Sequence, residues 1–139
     1  GSYLELHRIW QSGDTIELDL DMRLHIWRGQ REAAGRVSLY RGPLLLAYDR
    51  RYNACDPAAE YRGDDDVPPV APRSRELPLT PYAGPGPAPW LLTPIETANR
   101  TPRVLCDMAN AGAAGTPYRT WLPADEGWLA AWDGPEVWG

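Results

Sequence analysis

The chain has 139 residues, enough for one domain with a sizeable core. Its formal net charge of −5 argues against a nucleic-acid partner, which would need a basic surface, and no apolar run approaches the ~20 residues of a membrane span. The 13 glycines and 15 prolines, together with the lack of long Ala, Leu and Glu runs, predict an all-β fold with many turns.

The first predicted elements are strands, because apolar and polar side chains alternate from the start of the chain. Residues 3–10 and 15–26 predict a hairpin joined at Ser12-Gly13-Asp14, whose residues tolerate a tight turn. The apolar face of the longer strand comprises Ile16, Leu18, Leu20, Met22, Leu24 and Ile26. We therefore expect Leu18 and Leu20 in the core.

A second pair of strands follows one predicted helical turn at residues 31–34. Val37 and Leu39 alternate with polar neighbours and are predicted to face the core. Residues 44–48 are continuously apolar, which is typical of a central strand covered on both sides, so we expect Leu45 to be buried as well.

The alternation stops at residues 49–89, which carry most of the prolines. A structureless loop of this length is unusual in a compact domain, so we interpret it as an irregular insertion that wraps an edge or reaches a neighbouring domain. It contains the run Asp64-Asp65-Asp66. Calcium binding by these carboxylates is one reading, but the run lacks the alternating spacing of a calcium loop, and a solvated charge run is the commoner case.

Further strands are predicted at residues 103–108, 118–122 and 128–132. The total of roughly seven or eight strands, with turn signals between them, favours a single domain over residues 1–139. The predicted fold class is an antiparallel β-sandwich, jelly-roll-like, with the long Pro-rich insertion.

The two cysteines, Cys55 and Cys106, are too few for a disulfide framework or a zinc site. Cys106 lies in an alternating run and is predicted to be a buried free thiol. Cys55 lies in a loop, and a bridge between the two remains an open alternative.

The acidic residues Glu17, Asp19 and Asp21 share one face of a predicted strand, with neighbours ~7 Å apart. Paired carboxylates at such a spacing serve acid and base roles in glycosidases, but a solvated strand face is far more common. His7 and His25 stand alone, without a second ligand or acid nearby in the sequence. We therefore predict no catalytic residue, no metal site and no cofactor.

Seven tryptophans and seven tyrosines supply the aromatic bulk, since phenylalanine is absent. Core or interdomain packing is the favoured role for the tryptophans, and stacking on sugar rings is the alternative. Alternation places Trp27 and Tyr40 on a polar strand face. The candidate ligand-binding residues are Trp27, Tyr40, Arg119 and Trp121.

The order and spacing of several short motifs carry a family resemblance. They are Tyr3-Leu4-Glu5-Leu6, the Ser12-Gly13-Asp14 turn, Gly35-Arg36-Val37, Arg41-Gly42-Pro43-Leu44, and Tyr118-Arg119-Thr120-Trp121-Leu122-Pro123. In this order they resemble the C-terminal β-sandwich of glycoside hydrolase family 127 proteins, a group that includes bacterial β-L-arabinofuranosidases. The insertion at residues 49–89 departs from the family pattern.

The resemblance implies a non-catalytic role for this chain. Family enzymes place a glutamate and a cysteine-rich zinc site in a helical barrel that precedes this segment, and nothing here matches that cluster. We expect a non-catalytic accessory domain of a larger enzyme, whose partner is the catalytic barrel of the same parent chain. The alternative is a carbohydrate-binding module that holds sugar through exposed tryptophans.

Overall fold

The computed structural model describes residues 3–54, 60, 62–63 and 67–137. Within these residues the chain forms an antiparallel curled sheet of seven strands with one short helix, which confirms the all-β prediction. The elements are β1 (Leu24–Arg28), β2 (Arg36–Arg41), β3 (Leu44–Asp49), β4 (Leu92–Ile95), β5 (Arg103–Asp107), β6 (Tyr118–Arg119), β7 (Leu122–Pro123) and α1 (Glu126–Ala131). The predicted turn after β1 is a 3₁₀ turn, Arg31–Ala33.

The sheet curls because the β2–β3 hairpin opens away from its corner. The strand order is β1-β2-β3-β5-β4, and Arg41 pairs with Leu44 across the corner, where Gly42 has a φ of 54°. Further from the corner the two strands diverge. There β7 pairs with β2 and β6 pairs with β3, so the segment that holds both short strands fills the gap.

The main core draws side chains from both halves of the curled sheet. Its fully buried members include Leu24, Ile26, Val37, Leu39, Leu46, Tyr48, Ile95, Leu105 and Leu122. Leu39 is buried as predicted, whereas Leu45 is only half-buried, and its neighbour Leu46 occupies the core position. A continuously apolar strand gives no alternation to show which of its faces meets the main core. The opposite face, with Ala47, packs in a smaller second cluster.

The predicted hairpin of residues 3–10 and 15–26 is wrong. Only its last residues, from Leu24, join the sheet, and Leu18 and Leu20 are 71% and 47% exposed. Glu17 and Asp19 are exposed too, so the error is not a shift of one residue, which would bury the opposite face. Residues 3–20 lie off the sheet, whereas the Arg23 carbonyl accepts from the Gly42 amide at the β2–β3 corner, at 3.1 Å.

The outer edge of β1 is already occupied, which explains why the earlier segment does not pair there. The Leu24 amide donates to the carbonyl of Arg75 at 2.7 Å, and the Val137 amide donates to the carbonyl of Ile26 at 2.9 Å. Pro135 accepts from the Ile26 amide at 3.3 Å. Two segments distant in the sequence therefore close this edge.

The described part of the insertion from residue 67 onward is irregular but belongs to the core. Val67, Val70 and Leu77 are buried in the main cluster. The Ala71 amide donates to the carbonyl of Glu96 at 3.0 Å, and the Thr80 amide donates to Leu92 at 2.8 Å, so the same segment also lines the outer edge of β4. This proline-rich segment therefore lies along both edges of the sheet without forming a regular strand.

The strand predicted at residues 128–132 is wrong, because these residues belong to α1 and its C-terminal end. Asp125 caps the helix, with its carboxylate accepting from the Trp128 amide at 2.8 Å. The run 118–122 is likewise divided into β6 and β7, and Met108 begins a 3₁₀ turn that ends β5.

Candidate functional site

The structure brings together two of the four predicted ligand-binding residues. Trp27 projects from β1, and Trp121 lies between β6 and β7, with ring centroids 5.7 Å apart and planes tilted by 55°. Trp27 pairs in register with Ser38, whose hydroxyl donates to the carbonyl of Thr120 at 3.1 Å. The pair therefore lies beside a part-buried polar contact on one face of the sheet, and Trp27 remains 41% exposed.

The other two predicted residues lie apart from each other. Tyr40 is half-buried on the same sheet face as Trp27, two positions along β2 from Ser38, and burial raises the pKa of its hydroxyl. Arg119 of β6 pairs in register with Tyr48 and lies against Gly63, where an added Cβ would be 3.2 Å from Nη2. Thus this sheet face carries an aromatic pair and a tyrosine, while Arg119 contacts the insertion.

The carboxylates considered for acid–base chemistry are solvated. Glu17 and Asp19 are exposed on the segment that precedes the sheet. Asp21 is held by the Arg23 guanidinium through two contacts of 2.8 and 2.7 Å, and this fork holds the pKa of Asp21 well below its usual range. A carboxylate pinned in its ionised form is unsuited to donating a proton. His25 uses Nδ1 to donate to the carbonyl of Arg23 at 2.8 Å.

No group of three His, Cys, Asp or Glu side chains within the described ranges is arranged to hold a metal ion. Asp64, Asp65 and Asp66, which formed the calcium reading, lie outside the described residues, as does Cys55.

Two buried aspartates, which the sequence reasoning missed, anchor the loop that follows β5. Asp49 is fully buried and accepts from the Thr116 hydroxyl at 2.5 Å, the Gly112 amide at 2.9 Å and the Arg51 amide at 2.8 Å. Asp107 is also buried and accepts from two backbone amides, one at the start of the loop and one before β4. Each carboxylate is surrounded by donors of the fold itself, so we assign both to structure. The sequence feature that could have predicted this role is the position of each aspartate at the end of an apolar strand.

Cys106 is a buried free thiol, as predicted. Burial, reinforced by the negative charges of Asp49 and Asp107, raises the pKa of Cys106 from its ordinary value of 9.0 to about 12. A thiol of this kind carries almost no thiolate at neutral pH and is inert as a nucleophile.

Arg51 organises the proline-rich loop on the back of the sheet. Its guanidinium lies over the rings of Tyr52 and Tyr82, 5.2 and 5.1 Å from their centroids. It donates to the Tyr82 hydroxyl at 2.7 Å and to the carbonyls of Pro85 and Pro87 at 2.6 and 3.1 Å. One side chain thus fixes a loop that has no regular secondary structure.

This fixed loop presents Trp90, which is 77% exposed and which the sequence analysis did not single out. Trp90 borders an open groove of about 400 Å³ that also contains Leu79, Thr80 and Tyr82. The groove wall is mainly apolar.

A second groove, of about 380 Å³, separates α1 from the part of the insertion that covers the edge of β1. We call it the α1 groove. It is lined by Pro72, Arg73, Ser74, Arg75, Trp128, Ala131, Trp132 and Asp133. It combines an aromatic pair with charged groups of both signs. The sequence analysis missed it because residues 128–132 were interpreted as a strand.

Comparison with protein-family models, with curated proteins and with solved structures finds no match to this chain. The resemblance to glycoside hydrolase family 127 therefore stays a prediction from the sequence. In the part of the chain that the structure describes, no helix has the length and apolar character needed to cross a bilayer.

Proposed function

We propose that this chain is a non-catalytic accessory domain that packs on the helical-barrel catalytic domain of a glycoside hydrolase similar to family 127. One observation carries the proposal: residues 3–20 present large apolar side chains to solvent. They are Tyr3, Leu4, Leu6, Ile9, Trp10, Ile16, Leu18 and Leu20, with Tyr3 97% and Ile9 88% exposed. Monomeric proteins rarely expose so much apolar surface in one stretch unless another surface covers it.

The backbone of this segment forms no hydrogen bonds with the sheet in the described residues. Within the described residues its main-chain hydrogen bonds are local: the Asp14 amide donates to the Gln11 carbonyl at 3.1 Å, and the Gln11 amide donates to the Asp14 carboxylate at 2.9 Å. The ion pair between Arg8 and Asp14, at 3.0 Å, and the Arg8 guanidinium 5.0 Å above the Trp10 ring are local too. An extended segment with free amides and alternating side chains is suited to adding to the edge of another sheet or groove.

The jelly-roll-like sandwich is the finer part of this proposal. Its support is that one cluster of buried side chains joins β1, β2 and β7 on one side to β3, β4 and β5 on the other. A sheet that curls until its two halves share a core has the packing of a two-layer sandwich.

The test uses the protein segment encoded immediately upstream, co-expressed with this chain. We expect the two to associate in light scattering, and we expect Ile16→Ser, Leu18→Ser and Leu20→Ser combined to abolish association without lowering the melting temperature. Leu79→Ser, at an exposed apolar position outside the segment, is the matched control. Undiminished association of the triple variant, or an upstream segment without a helical barrel, would overturn the proposal.

A second candidate function, a carbohydrate-binding module, is favoured by the contact between Trp27 and Trp121. Titration with arabinan, xylan and arabinogalactan distinguishes the two functions. Saturable binding that Trp27→Ala and Trp121→Ala abolish would favour the module, whereas the accessory-domain proposal predicts no dependence on these two residues.

A further inference from the structure

The α1 groove has the features of a ligand site, and none of its lining residues belongs to the exposed segment 3–20. Trp128 and Trp132, which are four positions apart in the sequence, both line it, and their rings have centroids 5.5 Å apart and planes tilted by 55°. Both rings rest partly on the main core, so the aromatic surface is held rigidly. Gly134 packs directly against the Trp132 ring, and an added side chain there would displace it.

Two hydrogen-bond donors on the lining of this groove are left without acceptors. The Trp132 Nε1 and the Arg75 Nε are both buried atoms with no partner in the structure. They are two of the five buried, unpaired side-chain atoms in the described residues. Such atoms cost free energy, and a ligand in the groove supplies acceptors when the half-buried Trp132 and Arg75 side chains turn towards it.

The charged groups of the groove are also available to a ligand. The Arg73 side chain is exposed and makes no hydrogen bond or ion pair with any described residue, while its amide donates to Glu96 at 2.6 Å. Arg75 forms a long ion pair with Asp21, with 3.8 Å between Nη2 and the carboxylate, so a ligand carboxylate would share this guanidinium with Asp21. Asp133 stands at the end of α1 without a partner in the described residues. The groove thus presents two guanidinium groups, one indole donor and one carboxylate acceptor.

We propose that the α1 groove binds a short acidic saccharide, with one uronic acid residue as the recognised unit. The apolar face of a sugar ring fits against an indole ring, and the volume falls in the range of about 300–1,000 Å³ that is typical of small-ligand pockets. A planar carboxylate matches the donor geometry of a guanidinium, which assigns the uronate carboxylate to Arg73 and Arg75. Trp132 Nε1 donates to a sugar oxygen, and Asp133 accepts from a hydroxyl.

The site does not depend on the accessory-domain proposal, because none of its residues lies in segment 3–20. It also differs from the Trp27 and Trp121 pair. In that pair Trp27 is exposed and Trp121 is half-buried, and neither residue lines the α1 groove.

The test is isothermal titration of the whole chain with trigalacturonate and with galactotriose, its neutral counterpart. We expect a Kd of about 1 mM or tighter for the acidic trisaccharide and binding at least about tenfold weaker for the neutral one. Trp132→Phe keeps an aromatic ring and removes the Nε1 donor, and Arg73→Ala removes one guanidinium from an exposed position. Each is expected to weaken binding by about tenfold.

Trp90→Ala is the matched control, since Trp90 is the most exposed described tryptophan and lies outside the α1 groove. A second readout is the indole N–H resonance of Trp132, assigned by its loss in Trp132→Phe, which should shift on titration. Equal affinity for the neutral sugar, loss of binding in Trp90→Ala, or tighter binding of a short acidic peptide would each overturn the proposal.

Discussion

At the scale of the residue, burial decides which polar groups are chemically active. Cys106 and Asp49 are both buried near the ends of central strands. Burial disfavours the thiolate of Cys106, whereas the carboxylate of Asp49 accepts hydrogen bonds from several donors. The thiol is therefore kept neutral, whereas the carboxylate serves as a hub for a loop. Neither is placed to act on a substrate.

Cys106 should be unreactive in the folded protein. In a Cys55→Ser variant, which leaves Cys106 as the single thiol, we expect negligible reaction with a disulfide reagent at pH 8 and immediate reaction in denaturant. Since the folded pKa is raised, the contribution of the neutral thiol to stability is complete below pH 9 and is lost as the pH rises towards about 12. Rapid labelling of the native protein at pH 8 would contradict the raised pKa.

Asp49→Ala should destabilise the fold by about 2–4 kcal/mol, because it leaves the Gly112 amide and the Thr116 hydroxyl without their acceptor. Urea unfolding followed by tryptophan fluorescence measures the loss. Thr116→Ser, which preserves the hydroxyl, is the control and should stay within about 1 kcal/mol of the parent. A near-neutral Asp49→Ala would show that the loop is held by other contacts.

At the scale of the element, the same alternating pattern has two outcomes in this chain. In β2 the pattern buries Val37 and Leu39, while in residues 15–21 an equally regular pattern leaves both faces exposed. Alternation predicts that a strand has one buried face, provided that it pairs with a neighbouring strand. It does not state that a neighbour exists.

A matched pair of substitutions tests this difference between elements. Leu39→Ala should cost about 2–5 kcal/mol, because it opens a cavity in the main core. Leu18→Ala should change the free energy of unfolding by less than about 0.5 kcal/mol, since Leu18 is 71% exposed. Chemical denaturation of both variants provides the measurement, and a large cost for Leu18→Ala would place the segment in the sheet after all.

The C-terminal helix shows a different reason for a wrong prediction. Residues 128–132 were predicted to form a strand after a turn at residues 123–127, but Asp125 and Glu126 are acidic residues at the start of a helix. The packing of Trp128 and Trp132 on the main core then stabilises a helix of only six residues. A local capping signal, once weighed against composition, would have found it.

At the scale of the whole molecule, we expect no glycosidase activity from the isolated chain. Glu17 and Asp19 are exposed to solvent, and Asp21 is fixed in its ionised form by Arg23. Assays on aryl arabinosides and related substrates should show no turnover above the blank. Turnover that disappears in Glu17→Gln or Asp19→Asn would show that these carboxylates are catalytic.

The β class, the β2–β3 hairpin and the burial of Cys106 were determined by the sequence alone. Each follows from contacts between residues close together in the chain or from alternation inside one strand, and for these the sequence pattern is nearly sufficient. The segment 3–20, the closing of both sheet edges by residues 67–80 and 135–137, and the α1 groove were decided only by the tertiary structure. Each depends on which of several distant segments packs on a given sheet edge. Such long-range contacts cannot be read from the local sequence pattern.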